Sequence, residues 1–137
     1  MVSFARDIKK GDIESVMNRF KSLFSTLPYT TARKEKRDSI IEQNFQNVFY
    51  LVFTLLGQWS SVEETSSFGR ADCMLLNGNN VFIFEFKRDK SADEALRQIE
   101  EAGYTEPYKA SGKRIVKIGA SFSTKERNLA EWKIVEE

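Results

Sequence analysis

Asp72, Glu85 and Lys87 have the types and spacing needed to hydrolyse a phosphodiester bond. In the run from Val81 to Lys87, strand alternation puts Phe82, Phe84 and Phe86 on one face and Val81, Ile83, Glu85 and Lys87 on the other. Both faces begin apolar, so this strand is expected at the centre of a sheet. A buried charge without compensation is strongly unfavourable, so Glu85 and Lys87 are expected to be paired with each other or put to use.

The turn cluster Asn77-Gly78-Asn79-Asn80 sets how far Asp72 lies from Glu85. If Gly78 and Asn79 form the loop, Asn77 faces Asn80 and Asp72 falls directly opposite Glu85, with Cβ atoms ~5 Å apart. If Asn77 and Gly78 form the loop, Asp72 becomes a diagonal neighbour on the same face. Both registers bring two carboxylates together. They repel unless one is protonated or a cation lies between them, and hard carboxylate oxygens select Mg²⁺ or Mn²⁺. Lys87 could then neutralise a phosphate oxygen or help orient and deprotonate the attacking water. The plainer alternative is a structural network in which Lys87 bridges two acids at a strand end.

Several elements must hold these residues in place. Ile13, Val16, Met17, Phe20, Leu23, Phe24 and Leu27 recur at helical spacing across residues 12–26, after an Asp12 able to cap and before Pro28. The tract from Thr30 to Asp38 is polar and basic and reads as an exposed connection. A wide apolar stripe runs from about Lys36 to Leu56 and ends at Gly57, which describes a central helix. Glu42 adjoins that stripe instead of pointing squarely into water, and an acid there wants an explanation.

Strands are expected at Trp59–Thr65, Arg70–Leu76 and Val81–Arg88, as a meander. Ser91 opens and Gly103 closes a helix carrying Ala92, Ala95, Leu96, Ile99 and Ala102. A strand from Arg114 to Phe122 follows, so the unit is βαβ and its crossover should be parallel. Trp132–Val135 completes the pattern as a terminal strand. The fold class is therefore α/β, a mixed central sheet flanked by helices.

Composition narrows the chemistry. The chain has 137 residues, 41% of them hydrophobic, enough for one sizeable core. It contains no histidine, which removes Ser-His-Asp and Cys-His catalysis and every metal site that needs imidazole. The single Cys73 makes neither an internal disulfide nor a zinc cluster and suits a reducing, cytoplasmic setting. No apolar run reaches the ~20 residues that span a bilayer, and no apolar signal core follows Arg6, Asp7, Lys9 and Lys10. With a net charge of +1, any nucleic-acid surface must come from local segregation of charge. Lys109, Lys113, Arg114 and Lys117 cluster in sequence as a candidate phosphate-facing patch; Arg70 is open to an ion pair or a phosphate contact, and Tyr104 and Tyr108 to sheet packing or base stacking.

Asp72 followed by Glu85-Phe86-Lys87 resembles the core pattern of the PD-(D/E)XK nuclease superfamily. The wider string is similar to the PD-(D/E)XK domain that ends many bacterial proteins with an AAA-ATPase-like N-terminal region. It comprises Gly69-Arg70-Ala71-Asp72, Phe84-Glu85-Phe86-Lys87, Ala95-Leu96-Arg97-Gln98-Ile99, Tyr104, Tyr108 and Ile118-Gly119. Ala71 stands where the superfamily's name has proline. The resemblance implies a restriction-endonuclease-like core over residues 28–137 and an N-terminal helical extension over residues 1–27, connecting to an absent upstream region. It implies Asp72 and Glu85 as metal ligands, the Phe86 carbonyl as a third and Glu42 as the acid of the first core helix; Glu42 is otherwise an exposed helix acid, and Glu63 and Glu64 are rivals for its place at the metal. Lys87 would be the catalytic lysine, and Gln98 would approach the metal-bound water or the nucleic acid. The implied activity is Mg²⁺- or Mn²⁺-dependent cleavage of nucleic acid, DNA in the first instance; the alternative is a non-cleaving nucleic-acid-binding or protein-interaction module of a larger ATPase-containing protein.

Overall fold

The strand that carries Glu85 and Lys87 is buried on both faces, and the rest of the architecture follows from covering them. The computed structural model describes residues 2–26, 48–49, 51–52, 54–55, 63–64 and 73–137. Helices α1 (Val2–Lys10) and α2 (Ile13–Phe24) come first, followed by helical residues at 48–49, 51–52 and 54–55. Next are β1 (Glu63–Glu64), β2 (Cys73–Asn77), β3 (Asn80–Arg88), α3 (Ala92–Ala102), a 3₁₀ turn (Glu106–Tyr108), β4 (Arg114–Ser123) and β5 (Asn128–Glu136). They form one five-stranded sheet in the order β1-β2-β3-β4-β5. Among the described strands only β3 and β4 run parallel, joined across α3 as the βαβ reading expects; the other pairs are antiparallel.

Alternation along β3 divides the core as the sequence pattern requires. Phe82 and Phe84 pack with Leu75, Val116, Ile118, Ala120 and Phe122 beneath α1, α2, Phe49 and Val52. Val81 and Ile83 face the other way, with Met74, Ile115, Ile99 of α3 and Tyr104. Tyr104 is buried and Tyr108 packs against the same cluster, which decides for packing over base stacking.

Helix α1 was not anticipated, although Phe4, Ala5 and Ile8 are spaced to share one helical face and all are buried. Its Asp7 carboxylate accepts a 2.5 Å hydrogen bond from Arg19 Nε, tying α1 to α2. Residues 1–27, read as an extension from sequence, thus contribute Ile8, Val16, Met17 and Phe20 to the cluster under the sheet. The cap expectations hold: Asp12 accepts from Ser15, Ser91 accepts from Glu94 N–H at 3.1 Å, and Gly103 closes α3 with φ +70°.

Strand β5 begins at Asn128, earlier than the Trp132 expected. Ser121 pairs with Glu131 but Phe122 pairs with Leu129, so a β-bulge inserts one residue. Core-facing Leu129 and Trp132 are therefore three positions apart, which hides the two-residue period from sequence inspection.

At Gly119 on β4, helix α3 packs tightly against the sheet. A Cβ there would lie 2.5 Å from the Ala92 carbonyl oxygen and 2.9 Å from Leu96 Cγ. Two residues earlier on β4, Lys117 is buried and donates to Glu100 of α3 and to Glu137. Burial alone would lower its pKa, but the two carboxylates outweigh that and hold it above the ordinary 10.5.

Two outcomes follow. Gly119→Ala should destabilise the fold by roughly 1–3 kcal/mol, measured by denaturant unfolding, because backbone blocks the added methyl. Since the folded-state pKa of Lys117 is raised, its contribution is full below pH 10.5 and is lost as pH rises through the raised value. The melting temperature of the wild type should therefore fall more steeply above that pH than that of Lys117→Met.

Candidate active site

The Glu85-Phe86-Lys87 segment is held by its middle residue. Phe86 turns to the α1–α2 side, where its ring stacks on Phe49 at 4.0 Å between centroids and lies 5.7 Å from Phe122. These contacts fix the strand's rotation, so Glu85 and Lys87 emerge on the α3 side. Glu85 is only 7% exposed and Lys87 is half-buried. A carboxylate at that depth is costly unless donors or cations compensate it.

The neighbours on β4 are small. Glu85 lies beside Gly119 and Lys87 beside Ser121 in the parallel register. Ser121 Oγ donates to the Lys90 carbonyl, and Glu131 accepts a 2.6 Å bond from Ala92 N–H, fastening the start of α3. On α3, Asp93 reaches Lys133 of β5 and Glu100 reaches Lys117, so that flank faces β5. Gln98 lies on the opposite flank by helical geometry, partly buried over the β3 side.

The hairpin register is the first of the two considered. Asn77 faces Asn80 and Cys73 faces Phe84, with Gly78 and Asn79 forming the turn. Asp72, the next residue, falls outside the described residues, and so do Glu42 and Arg70. In β1, Glu63 and Glu64 pair with Leu76 and Leu75, which pair in turn with Val81 and Phe82. That alignment leaves them three or more positions, ~10 Å or more, short of Glu85 along the strands. Among the described residues no three acidic or cysteine side chains form a metal cluster.

The basic run flagged in the sequence is engaged elsewhere. Lys109 pairs with Glu106, Arg114 with Glu136, and Lys117 with Glu100 and Glu137, while Lys113 Nζ donates to the Gly78 carbonyl. All lie toward the entry end of β3 and β4, opposite the end that carries Lys87. Asp89, Lys90, Thr124 and Lys125 occupy the end nearer Lys87 and were not singled out from sequence. Asp89 accepts from Thr124 N–H at 2.9 Å and Thr124 Oγ1 at 2.7 Å. No short-range pattern signals a contact between residues so far apart in the chain.

With the geometry in place, comparison with known proteins gives one informative match. The family model described as the PD-(D/E)XK nuclease superfamily matches residues 40–132. The mixed sheet flanked by helices is consistent with a restriction-endonuclease-like α/β fold. A curated relative, an uncharacterized protein in the vnfD 5′ region of Azotobacter chroococcum mcd 1, is 31% identical over 121 residues. That match covers 87% of this chain and 23% of the relative. No solved structure matches significantly.

A buried carboxylate kept for chemistry is expected to cost stability. With divalent ions chelated, Glu85→Gln should melt at or above the wild type, by up to ~1 kcal/mol in stability. A marked drop in melting temperature would assign the carboxylate a structural role instead.

Proposed function

Because the chain belongs to the PD-(D/E)XK nuclease superfamily, we propose that it is a divalent-metal-dependent nuclease that hydrolyses phosphodiester bonds, with DNA as substrate. The observation that carries this reading is the buried Glu85 carboxylate on the same strand face as Lys87, at the end of a central strand. Glu85 and Asp72, with the Phe86 carbonyl and Glu42, would hold Mg²⁺ or Mn²⁺; all offer hard oxygen donors, which fits these ions. When bound, the ion would lower the pKa of its water and offset charge developing on the phosphoryl group.

The residues of the chain divide the remaining work. Lys87, half-buried beside Ser121, would place its ammonium against a phosphate oxygen and orient the attacking water. Gln98, from the β3-side flank of α3, would hold that water or the nucleic acid through its amide. The Phe86 stack keeps Glu85 and Lys87 in fixed register, the preorganisation such chemistry needs. An upstream AAA-ATPase-like region is part of the proposal, in keeping with a relative of which this chain spans only 23%. No described helix is long and apolar enough to cross a membrane, and a cytoplasmic location suits a nuclease acting on cellular DNA.

Labelled single-stranded, duplex and branched DNA incubated with Mg²⁺, Mn²⁺ or EDTA tests the reading. Cutting should require metal and should fall about a hundredfold to a thousandfold in Asp72→Ala, Glu85→Ala and Lys87→Ala. Metal should also raise the melting temperature of the wild type but not of Glu85→Ala, by about 2.7 kcal/mol in stability at a hundred times its dissociation constant. DNA binding that ignores both metal and Lys87→Ala, with no cutting, would mark a non-cleaving module instead.

A further inference from the structure

The exit of β3 is pinned to the turn between β4 and β5. Asp89 directly follows β3; its N–H donates to the Phe122 carbonyl at 2.8 Å and its carboxylate takes both the N–H and the hydroxyl of Thr124. Asp89 has φ +53° and Arg127, at the far end of the turn, has φ +57°. Glycine adopts such backbone without cost, yet both positions carry charged residues.

Charge is segregated at this place. Residues 87–90 and 125–127 together carry five basic side chains, Lys87, Arg88, Lys90, Lys125 and Arg127, and two acidic ones, Asp89 and Glu126. The whole chain carries just +1. Lys90 and Lys125 are exposed, in contrast to Lys109, Arg114 and Lys117, which are held by carboxylates at the opposite end of the parallel pair. The N-terminus of α3 does not serve as the anion site, because Ser91 caps Glu94 N–H and Glu131 takes Ala92 N–H. An anion here must be met by side chains.

We propose that the β3–α3 connection and the β4–β5 turn, joined through Asp89 and Thr124, form a phosphate-binding rim in which Lys90 and Lys125 hold a nucleic-acid backbone beside Glu85 and Lys87. This rests on the nuclease reading for its substrate but not for its residues. Asp89 and Thr124 are positioning residues: with the Ser121 bond to the Lys90 carbonyl, they fix the spacing of the two connections. The lysines supply charge without reading bases, so the contact is sequence-independent and sensitive to salt.

The test measures duplex binding in EDTA across a salt series, alongside metal-dependent cleavage. The Lys90→Ala/Lys125→Ala double variant should bind tenfold or more weakly at low salt. Its dependence of log K on log salt should be shallower by about 2, close to one for each phosphate no longer neutralised. KM should rise with kcat little changed, and the melting temperature should stay that of the wild type. Lys90→Arg/Lys125→Arg should restore the slope, Lys109→Ala/Lys113→Ala should leave it alone, and Thr124→Val should weaken binding without changing net charge. An unchanged slope and KM in the double variant of a protein that cuts would overturn the rim and leave the nuclease standing. A wild type that never cuts, but whose double variant shows the shallower slope, would do the reverse. A wild type that neither binds nor cuts nucleic acid would overturn the rim.

Discussion

The rest of the molecule depends on the contact of α3 with Gly119. A parallel pair of strands needs a crossover, and the crossover helix must lie flat on the sheet to bury the face it leaves exposed. At Gly119 the helix approaches so closely that even a methyl group would meet the Ala92 carbonyl. Glu85 sits beside that glycine in the register, so the same close approach that buries the α3 face also buries the carboxylate. Packing and the electrostatics of the site are two aspects of one contact.

The opposite face of β3 does complementary work. Phe86 lies between the two charged residues in sequence and opposite them in space, stacked on Phe49 and near Phe122. Phe49 in turn contacts Phe20 and Phe24 of α2 at 4.2 and 5.1 Å. An aromatic cluster thus runs from the N-terminal helices to the strand bearing Glu85 and Lys87. The N-terminal helices, packed on the opposite face, thereby constrain how these residues are oriented, because a strand clamped on one face cannot rotate on the other.

Charge is distributed between the two ends of the parallel pair. At the entry end, basic side chains are matched by Glu100, Glu106, Glu136 and Glu137 and hold the strand ends together. At the exit end, Asp89 accepts from Thr124, and the exposed Lys90 and Lys125 stand on short connections. In open α/β sheets the carboxyl ends of parallel strands are where ligands gather. A chain with almost no net charge can therefore still present a basic edge.

What the sequence by itself determined is what short-range physics controls. Alternation put Phe82 and Phe84 on one side and Val81 and Ile83 on the other, the Asn77–Asn80 cluster limited the hairpin to two registers, of which the structure shows the one with Gly78 and Asn79 in the turn, and Asp12, Ser91 and Gly103 marked helix ends. Each depends on residues within one turn or one strand repeat. Asp72 and Glu42 remain the sequence's own candidates, outside the described residues. Tertiary structure alone decided what depends on distant partners. A bulge moved the start of β5, α1 and α2 joined the core beneath the sheet, and the basic run at Lys109–Lys117 was engaged by glutamates and the Gly78 carbonyl. Asp89 met Thr124 across the parallel ladder. These contacts join residues brought together by the crossover, and local pattern carries no information about a neighbour that only folding supplies.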